Sequence, residues 1–314
     1  MTKATNSAPP ADDILSRVLH RDGLMLIVNK PAGVPVHRGP RNSHDKSGRA
    51  FEDDFDALRY GLPRPPVLAH RLDRDTSGCL VLGRHRKATA SLGLLFKHGK
   101  IGKTYWAIVE GGPDADEGSI DIPLGKLNEE RGWWQKPDPN GLPSRSTWKV
   151  MGRSLAVEAN DDAPTAPSPL AGEGWGGGST NKSASQNTPL PNAARSTSPT
   201  RGEVTKKFTW LALEPITGRT HQLRVHCAAM GWPILGDNIY GTAPRAGGPM
   251  LHLHSREIVV PISKNKPPVR ATAPVPDHMR ERLMLCGWNG EEAASDAAAS
   301  VSDREPAAIA AGNT

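Results

Sequence analysis

Residues 161–203 constrain the fold more than any other part of the chain, because this segment cannot belong to a packed core. Of its 43 residues, 26 are Gly, Pro, Ser, Thr or Asn, and its only branched aliphatic residues are Leu170 and Leu190. Such a composition buries too little apolar surface to offset the entropy lost on ordering. The segment is therefore predicted to be a low-complexity, disordered insertion.

The stretches on either side of this insertion are typical of β-strands. Residues 147–153 (TWKVMGR) and 206–215 (KKFTWLALEP) are rich in the Val, Leu, Trp and Thr residues that favour strands. We predict that they are neighbouring strands whose connecting loop has been lengthened. Closing a loop costs only ~0.6 kcal/mol more for each doubling of its length, so a fold tolerates such an insertion.

Both ends of the chain are predicted to be disordered as well. Residues 1–12 contain no apolar run, and residues 289–314 are rich in Ala and acidic side chains. Residues 13–288, apart from the insertion, are then expected to form the folded domain.

Composition excludes several classes of protein. No stretch approaches the ~18 apolar residues that a membrane helix needs, and the N-terminus lacks the apolar segment of a secretory signal. The three cysteines are few, odd in number and far apart, which argues against a disulfide scaffold or a paired-cysteine metal site. These features lead us to expect a cytoplasmic protein.

Charge points to a polyanionic partner. The chain carries a formal net charge of +6, although its last 26 residues hold five acidic residues and one Arg. The remainder is thus more basic than the whole. A basic folded domain suggests nucleic acid as the simplest partner.

Hydrophobic patterning predicts an α+β fold. Several strands are expected to follow one another without intervening helices, which disfavours a doubly wound sheet. One helix is predicted over residues 87–98, ending at Gly99, and a second is predicted to be capped by Thr220 and to end at Gly231, with Leu223, Cys227 and Met230 on one face. The predicted strands are 24–28 (LMLIV), 79–83 (CLVLG), 104–111 (TYWAIVEG) and 119–124 (SIDIPL).

Three polar clusters could carry chemistry: residues 69–78 (AHRLDRDTSG), 102–107 (GKTYWA) and 216–226 (ITGRTHQLRVH). On a strand, Lys103 and Tyr105 share a face, and a cation beside an aromatic ring suits a nucleotide. On a helix, Arg224 falls at the margin of the buried face and needs an acidic partner, for which Asp73 or Asp75 is a candidate. In isolation each cluster is also compatible with an ordinary solvated turn, strand or amphipathic helix.

Together the clusters resemble the signature segments of RluA-type pseudouridine synthases, in the same order. The matching segments are HRLDRDTSG (70–78), GKTYWAIVEG (102–111) and TGRTHQLRVHCAAMGWPILGDNIYG (217–241), with LMLIVNKPAGVPVHRG (24–39) similar to the N-terminal element of that family and LHLHS (251–255) to a late strand. The resemblance covers roughly residues 14–288 outside the insertion. It implies the pseudouridine synthase fold, with a mixed, mainly antiparallel sheet, flanking helices and a central basic cleft.

The resemblance also implies roles for individual residues. Asp73 matches the catalytic aspartate, Tyr105 the active-site tyrosine, and Arg224 the arginine that pairs with the aspartate. Leu223 matches an apolar residue of the pocket, and Arg71 the arginine that replaces the flipped base in the RNA stack. Lys103 is expected to give electrostatic support.

The implied reaction requires no cofactor or metal. Conversion of uridine to pseudouridine exchanges the N1–C1′ bond for a C5–C1′ bond, with no electrons, phosphate or group donor transferred. The sequence also lacks a P-loop and a GxGxxG fingerprint. One carboxylate suffices as nucleophile or base, and the target base must leave its stack to be reached.

Other interpretations of these motifs are weaker. Residues 73–76 (DRDT) also fit the DxDxT motif of phosphatases, with Asp237 as a late acidic residue, but Ala69-His70-Arg71 interrupts the apolar strand that the motif requires. Residues 75–78 have no second Asp-Thr-Gly-like partner, as an aspartic protease would need. The His252-x-His254 pair suggests structural histidines rather than zinc ligands. A catalytically inactive RNA-binding protein of the same fold is a further alternative.

The target is expected to be a compact RNA stem-loop. Many family members carry an N-terminal S4 domain, but the signature-like segment begins near residue 24, and we therefore expect no such domain here. Recognition by the catalytic domain itself favours transfer RNA or a hairpin of large-subunit ribosomal RNA. We expect a monomer with no obligate protein partner and no membrane association.

Overall fold

A computed structural model describes residues 13–38, 49–128, 134–155, 157–158, 205–263 and 265–292. The predicted insertion at 161–203, the N-terminal segment 1–12 and residues 293–314 of the predicted tail lie outside the described residues. The first four residues of that tail are described, and Glu292 there accepts hydrogen bonds from Arg256 and Arg280. These contacts join the start of the tail to the folded domain.

The described residues form three α-helices, two 3-10 helices and a series of short strands. The helices are α1 (Arg86–Lys97), α2 (Gln222–Ala229) and α3 (Asp277–Leu285), and the 3-10 helices are Ile14–Arg17 and Phe51–Arg59. The strands are β1 (Val18–Arg21), β2 (Met25–Lys30), β3 (Val67–Leu68), β4 (Ser77–Gly83), β5 (Gly102–Glu110), β6 (Glu117–Asp121), β7 (Leu124–Lys126), β8 (Gln135–Pro137), β9 (Arg145–Arg153), β10 (Val157–Glu158), β11 (Thr205–Lys206), β12 (Phe208–Pro215), β13 (Leu253–Val260) and β14 (Val269–Thr272). None of the described helices is both long and apolar enough to cross a membrane.

Ten of the described strands form one sheet, in the order β1-β2-β4-β13-β5-β12-β9-β6, with β3 beside β4 and β14 beside β13. The β4–β13 pair is parallel, and the other pairs are antiparallel. Strands β7 and β8 form a separate two-stranded sheet, as do β10 and β11. The prediction of an α+β fold with a mixed, mainly antiparallel sheet is confirmed.

Alternation of apolar residues along the central strands lets the sheet bury both faces. In β4, Cys79 and Val81 belong to the hydrophobic cluster that contains Leu92 of α1, whereas Leu80 and Leu82 belong to the cluster that contains Phe55 of a 3-10 helix. Further along the sheet, one cluster includes α2 and another includes α3. The helices therefore cover both faces of the sheet.

Gly78 allows β4 to lie beside β13. Its φ is +105°, a backbone conformation that favours glycine, and a Cβ here would lie 2.2 Å from the carbonyl oxygen of Ser255. Gly78 and Ser255 are partners in the parallel pair. Because Gly78 has no side chain, the start of β4 and the loop that precedes it can lie directly against β13.

Most of the predicted elements are present with shifted ends. The strands flanking the insertion, β9 and β12, are neighbours as predicted, and they pair antiparallel. Helix α1 ends before Gly99, whose φ is +63°. Residues 119–124 are not one strand, because β6 ends at Asp121 and β7 starts at Leu124 in another sheet.

The start of α2 also differs from the prediction. The helix is preceded by His221 rather than capped by Thr220, and Met230 is exposed although Leu223 and Cys227 are buried. The helix still ends before Gly231, whose φ is +84°. The prediction was wrong at the N-terminus because Gln222, rather than a capping hydroxyl, holds the preceding loop: its side-chain oxygen accepts hydrogen bonds from Thr217 and from the Arg219 N–H.

Candidate active site

A cavity of about 440 Å³ lies where the loop before β4, the start of β5 and the first turn of α2 meet. The polar clusters recognised in the sequence all contribute to it, although they are far apart along the chain. All six predicted site residues line this cavity: Arg71, Asp73, Lys103, Tyr105, Leu223 and Arg224.

The loop that carries Asp73 is held by a buried lysine. The Lys30 ammonium is fully buried and donates hydrogen bonds to the carbonyl oxygens of Pro31 (2.6 Å), Val34 (2.8 Å) and Arg74 (2.9 Å). Burial lowers the pKa of Lys30 to about 7, against the opposing charges of the two neighbouring aspartates, Asp75 and Asp73. Lys30 therefore ties the turn after Asp73 to the loop after β2.

Asp73 is itself partly accessible from the cavity. Its side chain is 22% exposed, and its backbone oxygen accepts a hydrogen bond from the N–H of Thr76, which closes the turn. The preceding Leu72 is buried in a hydrophobic cluster and anchors this side of the loop. The Nε2 atom of His221 lies 3.8 Å from Oδ1 of this carboxylate.

Arg224 does not pair with Asp73 as the sequence predicted. Among the described residues its salt-bridge partner is Asp237: Nε and Nη2 each donate a hydrogen bond of 2.8 Å to that carboxylate. Both side chains are almost completely buried. The prediction that Arg224 lies at the margin of the buried face of α2 is therefore also wrong. The need of this arginine for an acidic partner is confirmed, but the partner is different.

Asp237 is the partner because its backbone directs the carboxylate toward α2. Its Oδ1 accepts hydrogen bonds from the N–H groups of Ile239 (2.9 Å) and Tyr240 (3.0 Å). Burial raises the pKa of Asp237, but Arg224 and these N–H groups outweigh it and hold the pKa below its usual value. For Arg224, burial lowers the pKa, and the bonds and charge of Asp237 together with the charge of Asp73 raise it above its usual value. Asp73 therefore acts on Arg224 through its charge.

Lys103 and Tyr105 line the cavity from the same face of β5, as predicted. Burial raises the pKa of the Tyr105 hydroxyl well above its usual range, against a hydrogen bond with Ser255. Burial also lowers the pKa of Lys103. Tyr105 is thus an un-ionised phenol at neutral pH, and its ring packs against two hydrophobic clusters.

His70 lines the cavity together with Phe96. Its Nε2 accepts a hydrogen bond of 3.0 Å from the N–H of Val81, and its ring stacks on Phe96 with centroids 4.3 Å apart. Burial lowers the pKa of His70 to about 3, so the ring is neutral at physiological pH.

Basic side chains dominate the remaining lining. Of the described residues that form the cavity, Asp73 is the only acidic one, whereas five are Lys or Arg: Arg71, Lys97, Lys103, Arg219 and Arg224. Arg71 and Lys97 are exposed, and Leu223 is buried. The cavity thus presents one carboxylate inside a positively charged surround.

Four residues near the cavity carry contacts that the sequence analysis did not assign: Lys30, His221, Asp237 and Tyr240. Lys30, Asp237 and Tyr240 lie within segments that resemble the family, in VNKPAG and GDNIYG, and His221 lies within GRTHQ. The motifs that contain these four residues were recognised in the sequence, but the sequence did not indicate which side chains they contact.

His254 of β13 and His252, which directly precedes this strand, have structural partners. His254 shares a hydrogen bond of 2.9 Å with Ser77, and His252 shares one of 2.8 Å with the carbonyl oxygen of Met250. The residues that the structure describes contain no group of three His, Cys, Asp or Glu side chains placed to hold a metal ion.

Comparison with known proteins gives a consistent picture. Residues 24–229 match the family model described as RNA pseudouridylate synthase. An uncharacterised RNA pseudouridine synthase of Zymomonas mobilis is 34% identical over 267 residues, covering 84% of this chain and 95% of the relative. Ribosomal large subunit pseudouridine synthase C of Vibrio cholerae is 29% identical over 298 residues, covering 90% of this chain and 74% of the relative.

The fold is also similar to that of solved structures. Human RNA pseudouridylate synthase domain-containing protein 4 superimposes with a TM-score of 0.57 at 21% identity, covering 87% of this chain and 94% of the human chain. At this identity the likeness concerns the fold alone.

Proposed function

This chain belongs to the RluA-type family of RNA pseudouridine synthases, and we propose that it isomerises uridine in a structured RNA at the cavity around Asp73. The observation that carries the proposal is the convergence of six residues from separate segments on one cavity, with Asp73 as its single carboxylate among the described residues. Large-subunit ribosomal RNA and transfer RNA are the proposed substrates. The relative from Vibrio cholerae, named for the large ribosomal subunit, supports the first.

The proposed chemistry needs one accessible carboxylate. The N1–C1′ bond of uridine breaks, the uracil turns, and C5 bonds to C1′; the proton that leaves C5 and the proton gained at N1 balance. Asp73 acts as nucleophile or base, as carboxylates do at the anomeric carbon in glycosidases. Its partly exposed position at the cavity suits this role.

The neighbouring residues orient the base and the carboxylate. Tyr105, with its half-buried ring and un-ionised hydroxyl, stacks on the flipped uracil and takes part in proton transfer. Arg224, held by Asp237, supplies a fixed positive charge near Asp73. Leu223 lines the apolar side of the pocket, and Lys103 gives electrostatic support.

The target uracil must leave the base stack of the RNA to reach this cavity. Arg71 is exposed at the cavity and is proposed to enter the stack in place of the base. Lys97 and Arg219 also line the cavity and suit phosphate groups. A steep weakening of RNA binding with salt, measured by titration from about 50 to 200 mM salt, is the expected signature of such contacts.

The phosphatase alternative fits the geometry poorly. Its DxDxT motif would need Asp73 and Asp75 in one site, but of these two only Asp73 lines the cavity. The experiment below distinguishes the proposed enzyme from the alternative, an inactive RNA-binding protein.

The test is carbodiimide mapping of pseudouridine in transfer and ribosomal RNA from a deletion strain, complemented with wild type, Asp73→Asn or Asp116→Asn. Asp116 is the matched control, because its side chain is 83% exposed and does not line the cavity. We expect a site that is lost on deletion and restored by wild type and the control but not by Asp73→Asn. Restoration by Asp73→Asn would overturn the role of Asp73. If no site is lost, the purified protein is assayed on unmodified transcripts, and RNA binding without pseudouridine formation there would favour the inactive alternative.

A further inference from the structure

His221 has a backbone conformation that is unusual for its side chain. Its φ of +54° and ψ of +16° place it in the left-handed region, immediately before α2. That region is unfavourable for a non-glycine residue, and such strain persists where the surroundings enforce it, often at functional sites. Gln222 supplies the enforcement, because its buried side chain donates to Arg145 and Ser146 of β9. The strained backbone holds the imidazole of His221 in the cavity.

The Tyr240 hydroxyl contacts one ring nitrogen of His221. The Tyr240 hydroxyl lies 2.8 Å from Nδ1 of His221, and the same oxygen accepts a hydrogen bond of 2.9 Å from the N–H of Gln135. This oxygen accepts from Gln135, and the hydroxyl still has its own proton, which it can donate to Nδ1. When the hydroxyl donates to Nδ1, the proton of the neutral imidazole resides on Nε2.

Nε2 is the atom that faces Asp73. It lies 3.8 Å from Oδ1, and the His221 side chain is only 9% exposed. Burial is the main cause that lowers the pKa of His221 and keeps the ring neutral. The titratable and charged groups around the ring are Asp73, Arg71, Arg224, Asp237 and Tyr240.

We propose that His221 is a positioning residue for Asp73, with the Tyr240 hydroxyl as the group that fixes its tautomer. The Nε2–H of His221 is directed at Oδ1 of Asp73 and closes to hydrogen-bonding distance when substrate fills the cavity, as catalytic contacts often do. This bond holds one carboxylate oxygen and leaves Oδ2 for the reacting uridine. The inference rests on the proposed function, because it takes Asp73 as the reacting carboxylate.

The tautomer can be tested without RNA. In the full chain labelled with ¹⁵N-histidine, two-bond ¹H–¹⁵N correlations at pH 7.5 report the protonated nitrogen of each ring, and His221→Gln assigns the signal. We expect the Nε2–H tautomer in the wild type and a mixture of tautomers in Tyr240→Phe. An Nδ1–H tautomer or an imidazolium in the wild type would overturn the proposal, since neither leaves this arrangement in place.

Catalysis provides the second test, through His221→Gln and His221→Met. These variants have similar size and the same backbone strain, but only Gln retains an N–H donor at the end of the side chain. We expect His221→Met to lower kcat about 10- to 100-fold, the value of one hydrogen bond to a charged group, with KM within about threefold. We expect His221→Gln to recover most of this loss.

Matched melting temperatures of the two variants serve as the control for folding. Equal loss of kcat in both variants, or wild-type kcat in His221→Met, would contradict the role of His221. A wild-type protein that forms no pseudouridine would instead contradict the proposed function, while the tautomer measurement would still decide the arrangement of His221 and Tyr240.

Discussion

The guanidinium of Arg224 and the carboxylate of Asp237 form two hydrogen bonds of 2.8 Å in a setting from which solvent is almost excluded. This pair, rather than a pair with Asp73, satisfies the buried charge of the arginine. Asp73 therefore keeps its carboxylate free of a direct salt bridge to Arg224 and available to the cavity. One carboxylate, that of Asp237, thus holds the arginine, and another, that of Asp73, remains available to react.

Replacing Asp237 with Asn should destabilise the fold strongly. The substitution leaves the Arg224 charge buried without its partner, which typically costs 3–5 kcal/mol. Urea unfolding monitored by tryptophan fluorescence measures the change in the free energy of unfolding. Asp116→Asn is the control, because its exposed pair with Arg153 should contribute less than about 1 kcal/mol. Equal stability of the two variants would show that the buried pair is not needed.

Replacing Gly78 with Ala should also destabilise the fold, by about 3 kcal/mol or more, because the new Cβ meets Ser255 and the backbone has a positive φ. Gly93→Ala is a matched control within α1, where a Cβ meets nothing within 4 Å. Helix propensity predicts that this control stabilises the protein by about 0.5–1 kcal/mol. Thermal and urea unfolding measure the stability of both variants. A Gly78→Ala variant as stable as the wild type would refute the steric argument.

Acid should weaken the fold through buried histidines. Burial lowers the pKa of His254 to about 3, whereas a histidine in an unfolded chain titrates near 6.5. Between these values the unfolded state binds more protons, so the free energy of unfolding falls as pH decreases from about 6.5 toward 3. His252, with a pKa of about 4, and His70, with a pKa of about 3, act with the same sign.

The contribution of His254 can be isolated by comparing wild type and His254→Gln. Between pH 7 and pH 5, urea unfolding should show a loss of stability that is about 2 kcal/mol smaller in the variant. The variant is less stable at both pH values because it loses the bond to Ser77, and so the difference between the two pH values is the relevant quantity. Identical pH dependence in both proteins would rule out the buried neutral histidine as its cause.

Replacing residues 161–203 with a short turn should leave folding and activity near wild type. Strands β9 and β12, on either side of this segment, pair from Arg153 and Thr209 to Ser146 and Pro215, and this pairing does not depend on loop length. Shortening a loop changes its closure cost by only about 0.6 kcal/mol per halving. Thermal unfolding and pseudouridine mapping check both properties. Lost activity with an intact fold would show that the segment contacts RNA.

Residues close in sequence allowed the main strands and α1 to be predicted. In 79–83 an apolar run bounded by polar residues indicated a buried strand, and Gly99 indicated the end of a helix. The beginning of α2 was missed because Gln222 and its partners on β9, far away in sequence, hold the loop that precedes the helix.

The sequence by itself determined the fold class and the neighbouring strands around the insertion, because the periodicity of apolar residues is a local property of the chain. The resemblance of its motifs to the family indicated six of the side chains that line the cavity. Only the tertiary structure decided that Arg224 pairs with Asp237, that Lys30 holds the Asp73 loop and that His221 faces Asp73. Each of these contacts depends on atoms brought within 2.8–3.8 Å by backbone turns and packing between distant segments. The sequence pattern is compatible with several pairings of carboxylates and cations, and the geometry of the folded chain determines which pairs form.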